Sequence, residues 1–176
     1  MKFTLRSRAA VEFVGTAFLL MAVVGSGIMA ERLCPGNVGL ALLANSVATG
    51  AALVALILAL APISGAHFNP VVTLADAMQS GIAWREAPVY VAAQIAGAFA
   101  GVAAAHGMFG LPLFFASHHG RSGRALLFSE FIATFGLLGV IWGCARVRSS
   151  AVSFAVGAYI TAAYWFTAST SLPIPP

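Results

Sequence analysis

The sequence predicts an all-α membrane protein, one domain over residues 1–176, built as an inverted repeat of five spanning helices and one re-entrant half-helix. Three observations predict it. Only 8% of the 176 residues are charged and 60% are hydrophobic, whereas a soluble domain carries about 25% charged residues. Five apolar runs are each about 20 residues long, which at 1.5 Å per residue crosses a ~30 Å hydrocarbon core. The text Glu12-Phe13-Val14-Gly15-Thr16 returns, three helices later, as Glu130-Phe131-Ile132-Ala133-Thr134.

The spans are expected at 9–30, 38–61, 87–108, 125–145 and 151–168. Lys2, Arg6 and Arg8 precede the first apolar run as they would in a signal peptide. That run is longer than a signal's apolar region and more spans follow, so it reads as a retained first helix. From Leu33 to Ala75 the titratable side chains are Cys34 and His67 alone, a stretch too long for one span and about right for one and a half. Orientation follows from loop cations. With the amino terminus inside, Lys2, Arg6, Arg8, Arg85, Arg146 and Arg148 lie inside and Arg32, Arg121 and Arg124 outside. That balance favours a cytoplasmic amino terminus, in a bacterial inner membrane. It requires the connection between the second and third spans to return to the side it left.

That connection, 62–86, carries the signal of a half-helix. Residues 62–68 have no helical pattern. Asn69 is a good N-cap and Pro70 suits the first helical position. The apolar run 71–79 follows, and Ser80-Gly81 ends it. Ten residues make about 15 Å of helix, half a bilayer. Extended backbone at such depth is tolerated where protein packs around it or where it lines a water-filled cavity. The repeat extends beyond the glutamates. Leu19, Leu20 and Gly25 meet Leu137, Leu138 and Gly143, and Ala44, Ser46, Gly50 and Ser64 meet Ala151, Ser153, Gly157 and Ser171. Repeat one covers about 9–108 and a partial repeat two about 125–171. An odd number of spans between copies inverts the second, which places the working site near the midplane between them.

Ser64-Gly65-Ala66-His67-Phe68-Asn69-Pro70-Val71-Val72-Thr73 resembles the first signature of the major intrinsic protein family, the aquaporins and aquaglyceroporins, with Val71 where the family usually has Ala. Glu12 and Glu130 fit the family as well, and the resemblance runs to about Ser171. It implies a passive channel for water and small neutral solutes. Asn69, Pro70 and Val71 would form the pore motif, with the carbonyls of Gly65, Ala66 and His67 lining the approach. The half-helix N-terminus brings a partial positive charge to the midplane, and Asn69 adds an amide donor. A neutral solute exchanges its water bonds for these groups, while an ion loses too much hydration. The resemblance also implies a homotetramer with one pore per subunit.

Selectivity in this family resides at four positions near the outer mouth. They fall here on Thr49, Thr161 and Thr170, with the fourth, usually Arg, beyond the last residue. Small threonines resemble a wide, polar filter suited to glycerol, urea or metalloid hydroxides such as arsenous acid. After Ser171 the family's text would read Phe-Ala-Asn-Pro-Ala-Val-Thr, but the sequence reads Leu172-Pro173-Ile174-Pro175-Pro176. Deleting one C from an ordinary coding of the family text (TTC GCC AAT CCC GCC GTG ACC) yields Leu-Pro-Ile-Pro-Pro and a stop. The alternative expectation is therefore a frameshifted, truncated family member that does not conduct.

Other chemistries are disfavoured. Buried carboxylates in lipid default to function. Glu12 and Glu130 are nevertheless expected to be structural, accepting hydrogen bonds from loop N–H groups, since no nucleophile or metal constellation accompanies them. No catalytic residue, metal or cofactor is expected. His118-His119 reads as a solvated loop pair, Cys34 and Cys144 match no metal spacing, and the net charge of +4 forms no stripe for nucleic acid. The expected partners are the bilayer and small neutral solutes.

Overall fold

The computed structural model describes residues 3–113 and 123–168, which are helical throughout apart from short connections. The elements are α1 (Leu5–Leu33), α2 (Val38–Ser64), α3 (Pro70–Met78), α4 (Ala87–Met108), α5 (Arg124–Val147), a 3-10 turn (Ser149–Ala151) and α6 (Val152–Phe166). Four of them, α1, α2, α4 and α5, are long and apolar enough to cross a membrane. The expected fifth span is shorter than the sequence pattern implied: α6 has 15 residues, about 22 Å. Its first turn is taken by the 3-10 segment, and Thr167 turns extended at ψ 148°. Large apolar side chains such as Phe18, Phe99, Phe128 and Phe135 stand on the outside of the bundle, which lipid tolerates and water does not.

Caps begin the helices where the sequence supplies them. Thr4 Oγ1 accepts the Ser7 N–H at 3.2 Å and Asn37 Oδ1 accepts the Leu40 N–H at 3.0 Å. The second span, expected over 38–61, runs on through Pro62 to Ser64. The Ser64 hydroxyl is fixed by Glu12 at 2.6 Å. Gly65 then caps the helix in the left-handed region at φ 94°, its N–H returning to the Ala61 carbonyl, a conformation open to glycine at little cost.

Packing is tightest where α1 meets α4. A Cβ at Gly97 or Gly101 would run into the backbone carbonyls of Phe13 and Ala17, so these glycines set the approach of the two helices. A second close crossing joins α2 to α6, where a Cβ at Gly157 would fall 2.6 Å from the Gly50 carbonyl. By contrast α5 touches only α6, the 3-10 turn and α3 among the described elements, and Leu137 is its one buried residue.

Arg8, near the start of α1, pairs with Glu86 just before α4. Tyr90, one turn into α4, donates to the Ser64 carbonyl at the end of α2 at 2.8 Å. The connection from α2 to α4 therefore leaves and returns at the same end of the bundle, as a re-entrant segment must. Between these points the chain descends to the level of Gly15, where the Phe68 ring packs, and α3 climbs back over 9 residues.

Candidate functional site

The re-entrant backbone is bent into a shape the chain does not adopt unaided. Gly65, Ala66 and Phe68 have φ of 94°, 52° and 49°, and non-glycine residues in that region cost on the order of 1–3 kcal/mol each. The force that holds them comes from Glu12, which is fully buried. Its Oε1 accepts from the Ser64 hydroxyl at 2.6 Å and the His67 N–H at 3.0 Å, and its Oε2 from the Phe68 N–H at 2.8 Å and Gln94 Nε2 at 2.8 Å. Four donors converge on one carboxylate, so a charge that would be costly in lipid is satisfied and the turn is locked. Around it, Gln94 also donates to Thr73 Oγ1 at 2.9 Å, and Tyr90, bonded to the Ser64 carbonyl, takes a 3.4 Å contact from Arg8. The Arg8 guanidinium grips Glu86 with two bonds, 2.7 and 3.0 Å, and holds the Glu86 carboxyl below the usual carboxylate range.

Asn69 caps α3 with its Oδ1 on the Val71 N–H at 2.8 Å, and Pro70 occupies the first helical position. With Oδ1 engaged, the amide NH2 is what Asn69 offers the space it lines. His67 is tied on both ring nitrogens: Nδ1 lies 3.2 Å from Thr73 Oγ1 and Nε2 lies 3.5 Å from Asp76 Oδ2. It is held as scaffold rather than presented as a free ligand.

Gly65, Ala66, His67 and Asn69 together line a cavity of about 670 Å³ walled by α1, α2, α3, α5 and α6. Thr49 lines it too, with its hydroxyl 3.2 Å from Tyr164 Oη. The remaining expected site residues are placed elsewhere. The Thr161 hydroxyl donates to the Gly157 carbonyl at 2.9 Å and the Ser46 carbonyl at 3.3 Å, in the α2–α6 crossing and outside the cavity wall. Val71 is 44% exposed on α3, and it is Val72 that faces the cavity. Glu130 is exposed on α5. Thr170, His118 and His119 lie outside the described residues. Among the described residues no cluster of His, Cys, Asp or Glu is arranged to hold a metal ion.

Sequence reasoning missed Gln94, Tyr90 and Tyr164. A signal for the first two existed: Tyr90, Gln94, Gly97 and Gly101 are spaced by three or four residues and mark one face of α4, the face turned to Glu12.

The family model described as major intrinsic protein matches residues 2–171. Aquaglyceroporin AqpS of Rhizobium meliloti (strain 1021) is 51% identical over 174 residues, covering 99% of this chain and 74% of that protein. Aquaporin NIP1-4 of Oryza sativa subsp. japonica is 37% identical, covering 82% of this chain. Aquaglyceroporin-3 of Trypanosoma brucei brucei is 37% identical over 98 residues, or 56% of this chain. The chain spans 52% of the rice protein and 31% of the trypanosome one.

Proposed function

The chain belongs to the major intrinsic protein family, and from that premise we propose that it is an integral membrane channel for the passive passage of water and small neutral solutes, of the class of glycerol, urea and metalloid hydroxides. The observation that carries the reading is the Glu12-held loop. It spends a buried carboxylate and two strained non-glycine residues to bring Asn69 and the N-terminus of α3 to the wall of a cavity. A fold that needed only a connection between α2 and α4 would have no use for that expense.

The groups at the wall act as a filter by chemistry. The N-terminus of α3 carries partial positive charge, which raises the energy of a cation there. The Asn69 amide donates to a passing oxygen, and the neighbouring backbone of Gly65 to His67 supplies acceptors. A neutral hydroxylated molecule exchanges its water contacts for these at small cost, and an ion does not. The positive-inside balance supports an amino terminus on the cytoplasmic side, and family resemblance supports a homotetramer. Stopped-flow light scattering on proteoliposomes tests the proposal: water and glycerol should equilibrate faster than in empty liposomes, and rates equal to the empty control for both would overturn it.

A further inference from the structure

The α3 wall of the cavity has two chemically unlike ends. At one, Asn69 and the N-terminus of α3 face the space. At the other lies Asp76, seven residues on and about 10 Å along the helix. Packing sets which elements share that second end. Ala77, near the end of α3, packs with Ile82 and Ala87 at the start of α4, and Tyr90 of α4 reaches the Ser64 carbonyl at the end of α2. α6 runs antiparallel to α2, since Ser46 meets Trp165 while Gly50 meets Gly157. The start of α6 and the end of α5 that leads into it therefore lie here too, and α5 brings Trp142 to the cavity wall.

Asp76 is the one acidic side chain among the described lining residues, and no Lys or Arg lines the cavity among them. The carboxylate is held open on the space. Its Oδ2 lies 3.5 Å from His67 Nε2, and its side chain stays 36% exposed. Its Oδ1 is turned to Gly81, where a Cβ would run into it, so glycine leaves that oxygen uncovered. The Gly81 N–H returns to the Asp76 carbonyl at 2.9 Å and fixes the turn. The rest of the wall is mostly apolar, with Ile57, Val72, Ile141 and Val156 lining the same space.

A carboxylate in an apolar, partly aromatic cavity suits an organic cation. N–H donors of the cation pair with the carboxylate oxygens, its charge is drawn to the indole face, and its apolar body covers the aliphatic wall. We propose that the Asp76 end of the cavity is a binding site for small amphipathic organic monocations, of the class of arylamidinium ions, which plug the path without crossing it. The cation stops there because the N-terminus of α3 ahead of it carries partial positive charge. Binding at Asp76 needs only the cavity, and the plugging rests on the channel reading.

Calorimetric titration of detergent-purified protein with benzamidinium, beside neutral benzamide, tests the site. The wild type should bind benzamidinium at least about tenfold more tightly than benzamide, the worth of one charge-assisted contact. Asp76→Asn, which keeps the shape and removes the charge, should erase that preference. Trp142→Leu should weaken benzamidinium about threefold. Glu130→Gln removes a carboxylate outside the cavity wall and should leave the affinity at the wild-type value. If Asp76→Asn does not fold, Gly81→Ala decides in its place: it sets a methyl over Oδ1, keeps the charge, and should weaken benzamidinium. Equal affinity of the wild type for the two probes overturns the site. A preference that survives Asp76→Asn, or that falls equally in Glu130→Gln, overturns it as well. In proteoliposomes benzamidinium should slow glycerol equilibration by the wild type. Binding that leaves glycerol flux unchanged in a conducting wild type overturns the plug and leaves the site and the channel reading standing. Binding to a wild type no faster than empty liposomes supports the site and overturns the channel reading, and the plug with it.

Discussion

The two copies of Glu-Phe-x-x-Thr come to opposite ends in the fold. Glu12 is fully buried and accepts four hydrogen bonds from the loop and from α4, while Glu130, at the same place in the second copy, is exposed. The helices behave alike: α1 is pressed against α4 through Gly97 and Gly101, and α5 has a single buried residue. Near-identical text therefore does not fix a residue's role. Glu12 becomes a clamp because the strained loop and α4 bring four donors to it. In the second copy the matching segment begins at Ser171, beyond the described residues.

This contrast predicts unequal responses to equal changes. The largest concerns the glutamates themselves. Glu12→Ala strips four donors of their acceptor at once, and each unsatisfied buried group costs about 1–3 kcal/mol; we expect loss of more than 3 kcal/mol, seen as failure to purify as a monodisperse species or as a steep fall in thermal midpoint in detergent. Glu130→Ala, at an exposed position, should cost less than Glu12→Ala. Equal losses would break the comparison. Next come the glycines. Gly97→Ala drives a methyl into the Phe13 carbonyl and should cost about 1–3 kcal/mol. Gly143→Ala on α5 meets nothing within 4 Å and should stabilise by up to about 1 kcal/mol through helix propensity. Thermal midpoints that fall in both would show that α5 is as closely packed as α1.

The smallest effect is a pH dependence at the Arg8–Glu86 pair. Arg8 depresses the Glu86 pKa in the folded protein, so the pair's contribution is fully present above the ordinary glutamate value of about 4.3 and is lost as pH falls through the lower, folded value. Glu86→Gln should cost about 1 kcal/mol or less at pH 7. The gap between variant and wild type should narrow on acidification below pH 4; a gap that widens there contradicts the assignment.

Much of this was legible in residue order. Apolar length gave the spans, and Asn69-Pro70 gave the start of α3, because capping chemistry is local. Glu12 was legible as a loop clamp because an ionised group in a span needs partners. Its partner Gln94 was not, since 82 residues separate them and only tertiary contact joins them. Thr161 shows what residue order leaves open. Counting along the repeat gives its position in the text but not the turn of α6 it occupies, and the Gly50–Gly157 crossing rotates its hydroxyl toward α2, leaving Tyr164 at the cavity. The end of α2 at Ser64 was not legible either: a proline in the last turn sacrifices one bond, and the Glu12–Ser64 contact holds the helix past Pro62.

The central claim is that the clamped loop exists to present the Asn69 amide to a solute path. Glycerol flux through proteoliposomes carrying Asn69→Asp, measured beside wild type and beside a cation-leak assay, tests it most directly. Aspartate keeps the cap on α3 but replaces the donor with an anion at membrane depth. We predict glycerol flux at least about tenfold below wild type, a change of about 1.4 kcal/mol in barrier, with any new leak being of cations. Wild-type glycerol flux with no cation leak would contradict the account.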